Sequence, residues 1–202
     1  MISIINYGLG NLGSIKNMMN YLDIKCEIIN DINKIRKAKK IILPGVGAFD
    51  TAINKINKFE GLKDILNEKA LNEKIPILGI CLGMQLLTNK SEEGVLDGLG
   101  WIEAETLRFN KLKGLKVPHM GWNRVNLNFS SDLTKNLLDE SKFYFVHSYY
   151  VKVNELKNEI LTTKHGMNFS SGIQKENIFG VQFHPEKSHK YGMEIFKNFS
   201  KI

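Results

Sequence analysis

The sequence predicts an α/β fold, a central and mostly parallel mixed sheet flanked by helices, on three observations. Short apolar runs alternate with amphipathic segments through the first half. Closely spaced strand candidates separated by turn residues fill the second. Between them, Gly79-Ile80-Cys81-Leu82-Gly83 sets a cysteine at a sharp bend where an apolar run meets a helix-like segment, as a nucleophile elbow does at a strand end. Residues 2–6, 27–30, 40–43 and 75–80 read as strands, and 11–22, 49–57 and 62–72 have helical spacing, which implies βαβ units and parallel pairing. From residue 101 onward, candidates at 101–106, 143–147, 160–163 and 178–183 imply antiparallel strands appended to that sheet. Residues 191–199 read as a terminal amphipathic helix with Ile195, Phe196 and Phe199 facing inward.

A chain of 202 residues is the size of one large domain, and no linker, repeat or low-complexity tract divides it, so residues 1–202 are expected to form a single domain. The formal charge of +7 suggests an anionic partner, yet only three of the 28 basic residues (Arg36, Arg108 and Arg124) are arginine and the lysines are spread along the chain. Nucleic-acid surfaces concentrate their contacts and use arginine's bidentate fork, so no nucleic-acid partner is expected. Cys26 and Cys81 cannot make a disulfide framework and fit a reducing compartment. The first residues lack the pattern of a signal peptide, and the longest apolar stretch is interrupted by Pro76 and Gln85. A cytoplasmic protein with no membrane contact, no metal and no cofactor is the expectation.

Glycines two places before and after Cys81 remove the Cβ atoms that would clash in so tight a bend. The backbone N–H of Leu82 can point at a developing oxyanion, and a helix N-terminus favours the thiolate. A buried structural cysteine is the alternative. A cysteine nucleophile needs a base. His184 follows the strand candidate at 178–183 and belongs to His184-Pro185-Glu186, where an extended backbone puts positions i and i+2 on one side, roughly 6.6 Å apart. Glu186 could then accept a bond from one ring nitrogen while the other faces the thiol. An isolated H-P-E string would be a solvated loop; paired with the elbow it becomes a triad candidate. His147, before Ser148-Tyr149-Tyr150, either lines the site or is structural. His119 lies in Pro118-His119-Met120-Gly121-Trp122-Asn123, a polar and aromatic mixture typical of an interface or binding loop. His165 and His189 are expected at the surface. Pro44-Gly45-Val46-Gly47 follows the third strand, and its small residues would let Gly45 and Val46 present backbone N–H groups to a substrate carbonyl, at the same sheet edge as Cys81 in a parallel sheet.

One string points elsewhere. Gly8-Leu9-Gly10-Asn11-Leu12-Gly13 matches the dinucleotide-binding fingerprint, with Asp31 about where a ribose-binding acid would stand. That reading leaves little chain for a substrate domain and leaves the elbow and the H-P-E string without a role.

Taken together, the elbow, the Pro44-Gly45-Val46-Gly47 loop and Phe183-His184-Pro185-Glu186 resemble the class I, triad-type glutamine amidotransferases. Tyr7-Gly8-Leu9-Gly10-Asn11-Leu12, the string from Pro118 to Asn123, and Val181-Gln182-Phe183-His184-Pro185-Glu186-Lys187-Ser188 are similar to the branch of that family that supplies glutaminase subunits to imidazole glycerol phosphate synthase. The resemblance covers nearly the whole chain, and it turns the glycines of the misleading fingerprint into turn formers. It implies that Cys81 attacks the side-chain amide of L-glutamine, that His184 shuttles the proton and that Glu186 orients His184. It implies oxyanion N–H groups from Leu82 and the Gly45-Val46 peptide, and a substrate cradle from Gly47, Gln85, His147, Ser148 and Tyr149. It also implies a heterodimer with a (βα)₈-barrel cyclase subunit, met by Asn11, Pro118, His119, Met120, Trp122, Asn123 and Lys187. Where related glutaminases carry Gly-Gly, this chain has Gly45-Val46, whose branched side chain permits a peptide held the wrong way round until the partner and its ligand flip it. Gly13, Val153 and His165 depart from the family's usual residues and leave room for a paralogue feeding another acceptor.

Overall fold

The computed structural model describes residues 1–109 and 115–202. In chain order the elements are β1 (Ile2–Ile5), α1 (Leu12–Tyr21), β2 (Cys26–Ile29), α2 (Ile32–Arg36), β3 (Ile41–Gly45), α3 (Phe49–Lys58), α4 (Leu62–Asn67), β4 (Ile77–Cys81) and α5 (Leu82–Leu86). There follow β5 (Lys90–Ser91), β6 (Ala104–Arg108), β7 (His119–Arg124), β8 (Asn126–Leu127), β9 (Lys142–His147), β10 (Tyr149–Val153), β11 (Glu159–His165), β12 (Met167–Lys175), β13 (Ile178–Val181) and α6 (His189–Lys201). The main sheet runs β2-β1-β3-β4-β13-β12-β10-β6-β5, with β11 pairing β12 and β8 pairing β11. Its first five strands are parallel, and the direction reverses at β12. β7 and β9 form a separate antiparallel pair.

The parallel half follows from its residues. Every residue of β1, β3, β4 and β13 is buried, as expected for strands covered on both faces. Phe49, Ile53, Ile56, Leu62 and Leu66 of α3 and α4 pack with Met84 and Trp101 on one face. Ile15 and Met19 of α1 pack with Ile195, Phe196 and Phe199 of α6 on the other. Each such large apolar side chain, fully buried, stabilises the fold by about 1.5–3 kcal/mol relative to exposure. Among the described residues no helix is long and apolar enough to cross a membrane.

Several expectations are corrected. Residues 118–123 are not a loop: 119–124 form β7, in register with β9, and His119 faces His147 across the pair. The expected helix over 62–72 changes pitch, since α4 ends at Asn67 and residues 68–72 form a π-helical turn that buries Lys69, whose ammonium bonds Glu73 at 2.8 Å. The strand expected at 101–106 begins only at Ala104, because Trp101 turns into the core, where its Nε1 donates to Asn67 Oδ1 at 2.8 Å. β12 is not among the expected strands, and its buried Ser170 and Ser171 interrupt the apolar pattern. The partners explain their burial: Thr163 Oγ1 donates to Ser171 Oγ at 2.8 Å, and Ser170 bonds the Glu159 carboxylate.

Candidate active site

β4 delivers Cys81 to the C-terminal edge of the parallel half with φ 56° and ψ −111°, a left-handed conformation that costs a non-glycine residue about 1–3 kcal/mol. The surroundings enforce it. A Cβ on Gly79 would lie 2.6 Å from the Gly83 carbonyl oxygen, and one on Gly83 would lie 1.9 Å from the Leu43 carbonyl oxygen, so the bend closes only with glycine at both places. In the parallel register Gly45 stands opposite Cys81, which puts the Pro44-Gly45-Val46-Gly47 loop beside the sulfur as the sequence predicts. α5 is only five residues long, so the helix dipole expected to act on the thiol is a small one.

The candidate base, His184, and its carboxylate, Glu186, come from the turn after β13. His184 Nδ1 lies 2.9 Å from Glu186 Oε1, and both side chains are buried. Pro185 between them opens a short 3₁₀ turn that folds Glu186 back under the ring. The other ring nitrogen, Nε2, and Glu186 Oε2 are buried without a hydrogen bond among the described residues, and Nε2 is the ring atom left free toward the cleft that Cys81 also lines. Burial alone would pull the imidazole down, but the neighbouring sulfur and the Glu186 carboxylate overcome it and raise His184 from 6.5 to about 10. The ring therefore prefers the imidazolium form.

A cleft of about 450 Å³ opens over these groups. Val46, Gly47, Cys81, Leu82, Gln85, the run His147-Ser148-Tyr149, Pro118, His184 and Lys187 are among the residues that line it. The expected partner residues divide. Met120 is 62% exposed and Trp122 47%, the latter stacked on His189 at 5.4 Å, and the Lys187 ammonium sits 5.7 Å from the Tyr144 ring centroid. His119, expected at an interface, is buried instead with its ring turned inward, because β7 pairs with β9 and sets it against His147. Asn11 is half-buried and reaches Glu186 Oε1 only at 3.5 Å. His165, expected at the surface, is half-buried against His119.

Three residues of the site escaped the sequence reading. Gln182 is fully buried; its Nε2 lies 3.8 Å from Cys81 Sγ and its Oε1 accepts from Gln85 Nε2 at 3.0 Å. Strand alternation could have found it, since positions 182 and 184 share a side. Glu93 lines the cleft, its carboxyl raised by burial against the opposing effect of the Phe49 N–H that donates to it at 2.9 Å. The hydroxyl of Tyr7, raised by burial and by the Cys81 charge, donates to the Pro44 carbonyl at 2.7 Å and anchors the loop beside the nucleophile. Neither had a distinguishing signal in the sequence. The misleading fingerprint also resolves: Gly10 has φ +112° and a Cβ there would lie 2.9 Å from Pro44 Cβ, so this glycine serves the packing of the β1–α1 loop against the site.

The family model for glutamine amidotransferase class-I matches residues 3–202. A protein of Methanococcus maripaludis named imidazole glycerol phosphate synthase subunit HisH 2 is 54% identical, covering 100% of this chain and 99% of its own length. A protein of that name from Pseudomonas aeruginosa is 43% identical over 100% of both chains. Among solved structures, that of PurLQS from Thermotoga maritima superposes with a TM-score of 0.74 at 18% identity, covering 99% of this chain and 97% of the other, a likeness of fold. The strained elbow, the buried imidazole–carboxylate pair and these matches lead to one conclusion: the chain belongs to the class I glutamine amidotransferase family.

Proposed function

We propose that this protein hydrolyses L-glutamine to glutamate and ammonia and hands the ammonia to a (βα)₈-barrel cyclase subunit. In that heterodimer the ammonia serves the formation of imidazole glycerol phosphate and the aminoimidazole carboxamide ribotide of histidine biosynthesis. The observation that carries the reading is Cys81 at a strained elbow in the cleft that His184 also lines, with Glu186 2.9 Å behind the ring. The thiolate attacks the carboxamide carbon, and the N–H groups of Leu82 and Val46 receive the oxyanion. His184 gives its proton to the leaving nitrogen, ammonia departs, and a γ-glutamyl thioester is left on Cys81. Water then attacks the thioester carbon, losing its proton to His184 as sulfur leaves. Glu186 holds the ring and its tautomer throughout. The substrate's ammonium group meets Glu93 and Gln85, and its carboxylate meets backbone near Ser148 and Tyr149. Exposed Met120 and Trp122, with Asn11, Pro118, Asn123 and Lys187, offer the partner a face beside the cleft mouth. The names of the relatives, each a subunit of imidazole glycerol phosphate synthase, support both substrate and partner. The expected cytoplasmic location accords with a biosynthetic role.

A different ammonia acceptor is the competing reading, favoured by His165, Gly13 and Val153 and by the number 2 in the names of both relatives. Amide-labelled glutamine given to the complex with the histidine-pathway barrel and its substrate separates the two. The label is expected in the barrel's product, with an acid-stable acyl group on Cys81 seen in the intact mass. Label released only as free ammonia would favour another acceptor, and hydrolysis that survives Cys81→Ala would overturn the glutaminase mechanism itself.

A further inference from the structure

Outside the triad, a cluster of imidazoles packs beside the cleft. The His119 ring stacks on His165 with centroids 4.2 Å apart and on Phe145 at 4.7 Å, while Phe109 and Phe169 present edges to it. Hydrogen bonds give this cluster a direction. His147 Nδ1 lies 2.7 Å from the Tyr149 carbonyl oxygen; a carbonyl only accepts, so Nδ1 carries the hydrogen and Nε2 of the neutral ring is an acceptor. His119 Nδ1 lies 2.9 Å from that Nε2 and must donate, which leaves its own Nε2 to accept from Asn123 Nδ2 at 3.0 Å. The Asn123 amide is itself fixed, donating to the Lys164 carbonyl at 2.9 Å and accepting from the Arg124 N–H at 2.8 Å. At the inner end, Gln85 Nε2 also donates to the Tyr149 carbonyl, at 3.2 Å, and its second hydrogen goes to Gln182. With both amide hydrogens used, Oε1 is the atom Gln85 has left for the cleft it lines.

We propose that Asn123, His119 and His147 are positioning residues: their one-way hydrogen-bond chain locks the Tyr149 carbonyl, which fixes the Gln85 amide with Oε1 turned to the ammonium group of the substrate amino acid. This rests on the glutaminase reading above. An apolar ring at position 119 would pack equally well between Phe145 and His165, so packing alone does not call for two buried imidazoles in hydrogen-bonding order. The chain is also self-consistent only when neutral, because a proton added to either ring would set N–H against N–H. Burial, reinforced by the neighbouring imidazoles and opposed at His147 by its bond to Tyr149, holds His119 at about 4 and His147 at about 3, so the order persists at neutral pH.

The test is His119→Phe, which keeps the aromatic stack and removes both bonds, assayed in the complex with the cyclase. KM for glutamine is expected to rise about tenfold, the effect of roughly one hydrogen bond, while kcat changes by less than about twofold. His119→Gln, with a donor and an acceptor, should recover most of the KM. Alkylation of Cys81 by iodoacetamide, which reads the sulfur–His184 pair without glutamine, should stay within about twofold. An unchanged KM in His119→Phe overturns the proposal, and so does a parallel fall in kcat and alkylation rate, which would mean the chain acts through the triad. Independently of turnover, ¹⁵N spectra of the unsubstituted protein should show both His147 and His119 as neutral Nδ1–H tautomers; an Nε2–H tautomer at either ring overturns the chain. Failure of the glutaminase reading would look different: no turnover in the unsubstituted complex, with the tautomers as stated.

Discussion

His147 and His184 line the same cleft and are both buried, yet one is held neutral and the other charged. The desolvation penalty acts downward on each. What differs is the company: His184 has a sulfur on one nitrogen and a carboxylate on the other, whereas His147 has a carbonyl on one side and a second imidazole on the other. Charge partners favour the imidazolium; a carbonyl and an acceptor-seeking neighbour fix a tautomer instead. Protonation in this site is thus set by the identity of two neighbours per ring, and burial raises the stakes of that choice.

The comparison can be broken most severely at the sulfur. Cys81→Ala removes the nucleophile and one of the two groups that raise His184; glutaminase kcat should fall by about 10⁶-fold, and the His184 titration should move down from about 10. Glu186→Gln gives His184 a neutral neighbour like those of His147 while keeping the shape, and kcat should drop roughly 10⁴-fold through loss of the correct tautomer. Stability against pH reads the two environments with opposite sign. His119 and His147, depressed in the fold, refuse protons that the unfolded chain accepts, so unfolding free energy should fall as pH drops from about 6.5 toward about 4, by about 1.4 kcal/mol per unit for each group. His184 is raised in the fold, so its contribution is full below about 6.5 and is lost as pH rises toward about 10. Denaturant titrations across pH, repeated with His147→Phe and with Glu186→Gln, should roughly halve the acid slope and weaken the alkaline slope respectively. The smallest effect belongs to His165→Tyr. His165 adds to the lowering of His119 after burial, so its loss should raise His119 slightly and leave glutamine turnover unchanged.

The unequal legibility of the two rings in the sequence has a physical cause. Cys81, His184 and Glu186 were readable because local rules bring them out: glycines at a tight bend, proline between two residues that must face each other, and a strand end at each. The parallel half was readable for the same reason, since β1, β3 and β4 are unbroken apolar runs. The polar and aromatic mixture from Pro118 to Asn123 reads as a loop, and only the pairing of β7 with β9, which sets His119 opposite His147, turns the ring inward. Gln182 and β12 were hidden likewise, their polar groups satisfied by partners distant in the chain. The resemblance supplied Gln85 and Tyr149, while the hydrogen bonds that order them emerged only with the fold.

Histidine-selective ¹⁵N labelling of the free chain, followed from about pH 5 to about pH 10, tests the opposition of the two rings directly. The account predicts that His184 stays an imidazolium through neutrality and loses its proton only toward about 10, while His147 remains the neutral Nδ1–H tautomer over the whole range. Both rings titrating together near 6.5 would contradict it.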